Sequence, residues 1–247
     1  MGNSIVVGGY FILSLNKRVD EAKPILLKTI DGRNWRRLNF TAKYQYAYEI
    51  VAKDEDNAWI TNGYFVYQTN DGGHSWESKR LQNEVTQGGI GPVRRIYFVP
   101  PNVLWLVGYH GVMRSPDAGE SWETIYHVPV KDDPLLKGLQ EEKFLLFSGF
   151  PIDNDTILVG GGAPKLGGVI VKINRTLDKF ESSLMTTVSS QVNSIVCLGI
   201  KNIWFGCPFG ILYSYNGGLS WVLQRPKRSL FFEIYRFSIG KKPLYTK

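Results

Sequence analysis

The sequence predicts an all-β protein, a five-bladed β-propeller of four-stranded antiparallel blades, and three observations lead to this prediction. A short motif ending in tryptophan recurs along the 247 residues. Two further apolar positions recur at constant distances before that motif. The runs between these positions have the length and composition of β-strands, and turns rich in Gly, Asn and Asp separate them.

The recurring motif has the pattern Ser/Thr-x-Asp-x-Gly-x-Ser/Thr-Trp. Clear copies span Thr69–Trp76 and Ser115–Trp122, and a third spans Ser214–Trp221 with Asn in place of Asp. A degenerate copy, in which the Asp is shifted by one position, spans Lys28–Trp35. An Asx side chain can accept hydrogen bonds from the backbone of its own turn, Gly tolerates positive φ, and Trp adds apolar area. We therefore interpret the following residues as structural and not as catalytic: Asp31, Trp35, Asp71, Gly73, Trp76, Asp117, Gly119, Trp122, Asn216, Gly218 and Trp221.

The repeat extends well beyond the motif. Another tryptophan lies 17 residues before each of three motif tryptophans, and an isoleucine lies nine residues before that. The three sets are Ile50, Trp59 and Trp76; Ile96, Trp105 and Trp122; and Ile195, Trp204 and Trp221. A unit of four short strands that repeats every 41 to 46 residues is typical of a propeller blade.

The motif resembles the Asp-box, or BNR, repeat of sialidase-like and related β-propellers, including the family of photosystem II assembly factors. The resemblance covers nearly the whole chain. It implies a propeller fold, and it allows an assembly-factor role like that of the photosystem II family.

We predict a single domain over residues 1–247. Its blades cover approximately 4–40 plus 230–247, 45–82, 92–128, 144–184 and 191–224, with an insertion at 128–143. Blade 1 opens at Ser4 with no first strand ahead of it, and the stretch 230–237 matches the first-strand pattern. We therefore expect the C-terminal strand to complete the N-terminal blade and close the ring, which removes a sheet edge. In the fourth blade Phe180 replaces the motif tryptophan.

The added length falls around 14–23, around Gly162–Gly167 and at 128–143. In a propeller these connections emerge on one face, opposite the motif turns, and loops on a rigid scaffold commonly carry binding sites. Asp133 before Pro134 resembles a helix start in the last insertion, although plain packing of a long connection is an equal alternative.

Composition narrows the partners. The net charge of +7 and the pI of about 9.3 favour an acidic protein surface, an anionic glycan or a nucleic acid as the partner.

No run of apolar residues is long enough to span a membrane and no signal peptide is recognisable, so we expect a soluble cytoplasmic or organellar protein. The histidines are isolated, which argues against a metal site, and we expect no cofactor. Cys197 and Cys207 are either buried thiols or a cross-strand disulfide.

Basic and aromatic residues expected on the insertion-bearing face form the candidate partner-binding site, because Arg and Tyr commonly anchor interfaces. They are Lys17, Arg18, Tyr44, Tyr46, Arg94, Arg95, Tyr109, His110, Arg225, Lys227 and Arg228. The competing interpretation is a solvated charged rim with no partner.

The sequence thus favours a non-catalytic platform that binds a protein with an acidic or extended segment. The alternative is a glycan-binding protein or a sialidase-like glycoside hydrolase, which would need an arginine cluster, a Tyr with a Glu partner and an acid/base Asp. The stretches Arg94–Tyr97 and Phe150–Ile152 do not fit the Phe/Tyr-Arg-Ile-Pro motif of those enzymes. Nucleic acid is a third choice, because no recognition fold is visible.

Overall fold

The computed structural model describes residues 4–8, 11–15, 25–41, 47–81, 89–128, 144–163 and 167–224, with the backbone alone for the first two ranges. These residues form five four-stranded antiparallel sheets, in each of which the strands lie side by side in chain order. The prediction of an all-β protein with four-stranded antiparallel sheets is therefore confirmed. Within these ranges no helix has the length and apolar character needed to cross a membrane.

The strands are numbered in chain order. Sheet 1 contains β1 (Ser4–Gly8), β2 (Phe11–Leu15), β3 (Ile25–Lys28) and β4 (Arg36–Leu38). Sheet 2 contains β5 (Glu49–Ala52), β6 (Ala58–Thr61), β7 (Phe65–Thr69) and β8 (Glu77–Arg80). Sheet 3 contains β9 (Val93–Val99), β10 (Val103–Gly108), β11 (Gly111–Ser115) and β12 (Glu123–His127). Sheet 4 contains β13 (Leu145–Pro151), β14 (Thr156–Ala163), β15 (Gly167–Thr176) and β16 (Lys179–Val188). Sheet 5 contains β17 (Ser194–Leu198), β18 (Asn202–Cys207), β19 (Gly210–Ser214) and β20 (Val222–Gln224).

Sheet 1 departs from the sequence prediction. β1 pairs with β2 along its whole length, from Ser4 opposite Leu15 to Gly8 opposite Phe11, and β3 and β4 follow. The expectation that this sheet lacks its first strand is wrong, because residues 4–38 supply all four strands. The two five-residue runs on either side of Gly9-Tyr10 are separate, antiparallel strands. In so short a stretch, two strands are easily taken for one. The segment 230–247, predicted to close the ring, lies outside the described residues.

The chain divides into two compact units, Met1–Asp133 and Pro134–Lys247. The first contains sheets 1 to 3 and the second contains sheets 4 and 5. In the first unit β5 contacts β1 and β2, and β9 contacts β5 and β6; in the second, β17 contacts β13 and β14. Within each unit, therefore, the first strand of a sheet packs against the first two strands of the preceding sheet. The predicted helix in 128–143 lies outside the described residues, and the single 247-residue domain stays a prediction.

Side chains of one sheet hold the motif turn of the next sheet in the first unit. Trp59 is 1% exposed; its ring stacks on Phe98, and its Nε1–H donates to the carbonyl oxygen of Ala118 at 3.0 Å. Lys28 is buried and its ammonium donates to the carbonyl oxygen of Gly72 at 3.3 Å. Each contact joins a buried side chain of one sheet to a backbone carbonyl in the motif turn of the next sheet, so they tie neighbouring sheets together.

Sheet 4 lacks the motif turn. Its third and fourth strands are joined by the two residues Leu177 and Asp178, and they pair from Thr176 opposite Lys179. The expected insertion at Gly162–Gly167 is wrong in its bounds, because Gly162 pairs with Gly168 and Ala163 with Gly167 as parts of longer strands.

In sheet 5, Cys197 and Cys207 are free thiols, and burial raises the pKa of each to about 12.

Candidate partner-binding site

Antiparallel order gives sheets 2 and 3 two distinct ends. One end, which we call the loop end, carries the β6–β7 turn (62–64), the segment 89–92 and the β10–β11 turn (109–110). The other, the box end, carries the motif turns at 69–76 and 115–122. The predicted site residues that the structure describes, Arg94, Arg95, Tyr109 and His110, all lie at the loop end of sheet 3.

The β10–β11 turn is held tightly against the segment that precedes β9. The backbone N–H groups of Tyr109 and His110 donate to the carbonyl oxygens of Pro92 (3.2 Å) and Ile90 (2.8 Å). A Cβ on Gly91, whose φ is +69°, would lie 2.6 Å from His110 Cδ2, and a Cβ on Gly108 would collide with the Ile90 carbonyl oxygen. Only glycine permits this close approach, so the turn that presents Tyr109 and His110 is rigidly positioned.

Arg94 stands at a β-bulge. Val107 pairs with Arg95 and Gly108 pairs with Val93, which leaves Arg94 between two paired residues. A bulge changes the direction of a side chain relative to regular alternation. The guanidinium carbon of Arg94 lies 4.7 Å from the ring centroid of Tyr48 in sheet 2 and 5.3 Å from that of Tyr109. Both distances are within the range of cation–π attraction.

Arg95, the next residue, has a different environment. Its guanidinium lies 3.7 Å from a carboxylate oxygen of Glu49, a residue of β5 that is 4% exposed. It also donates to the carbonyl oxygen of Arg94 at 3.3 Å. A carboxylate this deeply buried needs a compensating charge, and Arg95 supplies it. The two adjacent arginines are therefore not equivalent: Arg94 has no carboxylate partner among the described residues, whereas Arg95 has one.

His110 is half-buried, and burial lowers the pKa of its imidazole below the ordinary value of 6.5. The neutral ring is therefore the dominant form at neutral pH. His110 contributes a polar aromatic surface and not a second cation.

The remaining predicted partner-binding residues lie outside the described ranges: Lys17, Arg18, Tyr44, Tyr46, Arg225, Lys227 and Arg228. The structure adds Glu49 to the site. Its position could have been read from the repeat, because Glu49 precedes Ile50 as Arg95 precedes Ile96. Opposite charges at the same repeat position of two neighbouring sheets are a signal for an ion pair between them.

The motif turns at the box end are closed by hydrogen bonds between residues of the motif itself. In the turn 69–76, the hydroxyl of Thr69 donates to Asp71, and Asp71 accepts from the N–H (3.0 Å) and the hydroxyl (2.5 Å) of Ser75. The turn at 115–122 repeats this arrangement, with Asp117 accepting from the N–H and the hydroxyl of Ser121. In the turn at 214–221, Asn216 accepts from the N–H of Ser220, but its side-chain amide donates to the Ser220 hydroxyl oxygen. In the degenerate copy at 28–35, Asp31 accepts from the N–H groups of Arg33 and Asn34.

These hydrogen bonds set the charge state of the turns. Bonds from Ser75 hold the pKa of Asp71 well below its ordinary value of 3.8, and backbone bonds from Asn34 and Arg33 do the same for Asp31. For Asp117, burial acts to raise the pKa, but bonds from Ser121 and Ser115 outweigh it and the pKa is lowered. Each carboxylate is thus an acceptor within its own turn. The structure offers no group of three or more His, Cys, Asp or Glu side chains suited to a metal ion within the described ranges.

Comparison with known proteins identifies neither a matching family nor a matching curated protein. Solved structures are similar to the chain. YCF48 from Cyanidioschyzon merolae is 14% identical with a TM-score of 0.61, over 89% of this chain and 70% of that one. A structure described as YCF48 bound to D1 peptide is 19% identical with a TM-score of 0.57, over 90% of this chain and 65% of that one. Virginiamycin B lyase from Staphylococcus aureus is 14% identical with a TM-score of 0.62, over 91% of this chain and 70% of that one. At these identities the likeness shows the fold alone, and it supports a β-propeller.

Proposed function

We propose that the chain is a non-catalytic propeller platform that binds an acidic or extended segment of a protein partner at the loop end of sheets 2 and 3. The observation that carries the proposal is the guanidinium of Arg94, covered by the rings of Tyr48 and Tyr109 and without a carboxylate partner among the described residues. One similar structure is described as bound to a peptide, which supports peptide binding by a protein of this fold.

The geometry of Arg94 suits recognition of a carboxylate. Aromatic rings contact the π-face of a guanidinium and leave its N–H donors at the edge, where they match the two oxygens of a carboxylate. The rings also restrict the side chain before binding, which reduces the conformational entropy lost when a partner is bound. The neutral His110 and the two tyrosines add the amphipathic area typical of interface anchors.

Arg95 has a supporting role in this proposal. Because its charge compensates buried Glu49, it is less available to a partner than Arg94 is. Replacing Arg95 would remove the cation 3.7 Å from the buried carboxylate, and the resulting loss of stability would confuse a binding test. Arg94 is therefore the residue to change.

The test compares wild type with Arg94→Glu, Arg94→Lys and the control Arg37→Glu. Arg37 is exposed on β4, so its variant carries the same change of charge as Arg94→Glu at a distant position of the same unit. Affinity capture from an extract of the source organism identifies the partner, and titration calorimetry with an acidic synthetic peptide from that partner measures binding.

We expect Arg94→Glu to weaken peptide binding by roughly tenfold or more, because a charge-assisted hydrogen bond contributes about 1.5–3 kcal/mol. Arg94→Lys should lose much of the affinity as well, since an ammonium lacks the planar fork. Arg37→Glu should bind like wild type. Equal losses in Arg94→Glu and Arg37→Glu would instead indicate nonspecific attraction, and failure of the wild type to capture any protein would refute the platform.

The glycan-active alternative is tested with a panel of fluorogenic glycosides. Turnover that disappears on Tyr48→Phe or Glu49→Gln would replace the platform proposal with a glycosidase. The closed ring of five blades and the cellular compartment also stay predictions.

A further inference from the structure

Sheet 5 exposes a group of apolar side chains at its own box end. Leu198 is 60% exposed, Ile200 69%, Tyr215 58% and Leu219 88%. Ile200 lies in the β17–β18 turn, Tyr215 and Leu219 lie in the motif turn, and Leu198 ends β17. Scattered exposed apolar residues are ordinary, but several on adjoining turns mark an interaction surface.

The two turns are in direct contact. The N–H of Gly217 donates to the carbonyl oxygen of Lys201 at 2.9 Å, and a Cβ on Gly217 would lie 3.3 Å from the carbonyl oxygen of Ile200. The four apolar side chains therefore project from one continuous surface, which we call the apolar tip of sheet 5.

The turns do not need these apolar residues in order to fold. At the repeat position of Ile200, sheet 2 has Glu55, and at the position of Leu219, sheets 2 and 3 have His74 and Glu120. In all three sheets the Asx side chain accepts from the backbone N–H of the second motif serine, whatever residue stands before that serine. Leucine and isoleucine at these positions thus serve something other than the local backbone.

The charge of the surface is as distinctive as its apolar character. The stretch 194–224 contains one charged side chain, Lys201, and no Asp or Glu. Its motif turn carries Asn216 where the other copies carry a carboxylate, and Asn216 still accepts from the Ser220 N–H at 3.0 Å. The change from Asp to Asn therefore removes a negative charge and keeps this backbone hydrogen bond.

Acidic side chains in the described part of this unit belong to sheet 4. Two of the four are paired within that sheet: Asp155 lies 4.0 Å from Arg175, and Glu181 lies 2.9 Å from Lys179. The apolar tip is consequently free of its own carboxylates and carries a cation beside exposed aliphatic groups. That combination is complementary to an anionic, apolar-cored surface.

We propose that the apolar tip of sheet 5 docks on the surface of an anionic lipid bilayer. Exposed aliphatic side chains beside a cation, with no carboxylate in 194–224, match the apolar boundary and the anionic headgroups of such a bilayer. Leu198, Ile200 and Leu219 enter the boundary between headgroups and acyl chains, and Tyr215 lies at the headgroup level that tyrosine favours. Lys201 binds the phosphate of an anionic headgroup.

Vesicle co-sedimentation tests the proposal. Wild type, the double variant Ile200→Glu/Leu219→Glu, Lys201→Gln and the control Ile30→Glu are each incubated with phosphatidylcholine vesicles, with and without phosphatidylglycerol. Glutamate is already present at both equivalent positions in other sheets, so the double variant should keep the fold, which circular dichroism checks. Ile30 is 71% exposed within the motif turn of sheet 1, so Ile30→Glu makes the same change in hydrophobicity outside the apolar tip.

We expect wild type to sediment with vesicles that contain phosphatidylglycerol. The double variant should lose at least about tenfold in its partition coefficient, since each aliphatic side chain contributes a transfer free energy that glutamate lacks. Lys201→Gln should bind the anionic vesicles about fivefold more weakly, since one basic residue near the surface contributes about 1 kcal/mol. Ile30→Glu should behave like wild type.

Three results would overturn the proposal. The first is that wild type stays in the supernatant with both vesicle types, and the second is that the double variant sediments as well as wild type. The third is self-association of wild type in sedimentation velocity that the double variant abolishes without any vesicle binding, which would assign the apolar tip to a second copy of the chain.

Discussion

Replacing Trp59 with phenylalanine tests how neighbouring sheets of the first unit are held together. The indole is 1% exposed, stacks on Phe98 with ring centroids 5.5 Å apart and donates to the carbonyl oxygen of Ala118 at 3.0 Å. Phenylalanine keeps an aromatic ring at this position, but it removes the donor and part of the packed volume. The perturbation is therefore confined to the contact between sheet 2 and the motif turn of sheet 3.

The magnitude follows from two terms. Loss of the donor removes this partner from the partly buried carbonyl oxygen of Ala118, at a cost of about 1–3 kcal/mol. The smaller ring leaves a cavity, and since complete removal of a buried Trp side chain to Ala costs about 3–5 kcal/mol, the partial loss adds about 1 kcal/mol. We expect Trp59→Phe to lower the free energy of unfolding by about 2–4 kcal/mol, and Tm by about 2–4 °C for each kcal/mol.

Urea denaturation followed by circular dichroism measures the change, with Trp204→Phe as the matched control. Trp204 has the same repeat position in sheet 5, but it is half-buried and stacks on Tyr213 at 4.7 Å. Its replacement should cost less than about 1 kcal/mol, because less buried volume is lost. Equal midpoints for the two variants would refute the reasoning, since the hydrogen bond to Ala118 would then contribute nothing beyond ring packing.

Two predictions concern pH. Asp71→Asn should destabilise the protein at neutral pH, because the hydrogen bonds from Ser75 favour the carboxylate. The pKa of Asp71 in the folded protein lies below its unfolded value of 3.8. This stabilisation is therefore present above pH 3.8 and is lost as the pH falls further. Urea titrations at neutral and acid pH should show the difference between wild type and variant shrinking in acid, and a constant difference would contradict the argument. His110 should titrate below pH 6.5 by NMR because burial disfavours its cation. The unfolded imidazole keeps the ordinary pKa of 6.5 and takes up its proton first, so stability should decrease as the pH falls below 6.5. His110→Gln should lack this acid-sensitive contribution; a midpoint at or above 6.5 would show that the ring is solvated.

Local features were predictable from the sequence because they depend on residues close together in the chain. The motif turns are closed by hydrogen bonds that span four residues or fewer, such as those between Asp71 and Ser75. The constant spacing of Ile50, Trp59 and Trp76 in three copies likewise reflects strands joined by short turns. Strand order within a sheet followed from these connections, since antiparallel neighbours need only a tight turn.

The sequence by itself determined the repeating strand pattern, the turn chemistry and which end of each sheet carries the turns. The tertiary structure decided what the adjacent arginines do: a bulge places Arg94 between Tyr48 and Tyr109, while Arg95 compensates buried Glu49. It also decided that sheet 1 is completed by its own N-terminal strand. The physical reason is the same in both cases. Bulges, ion pairs between sheets and the choice of strand partners depend on contacts between distant residues, whose packing no short sequence window contains.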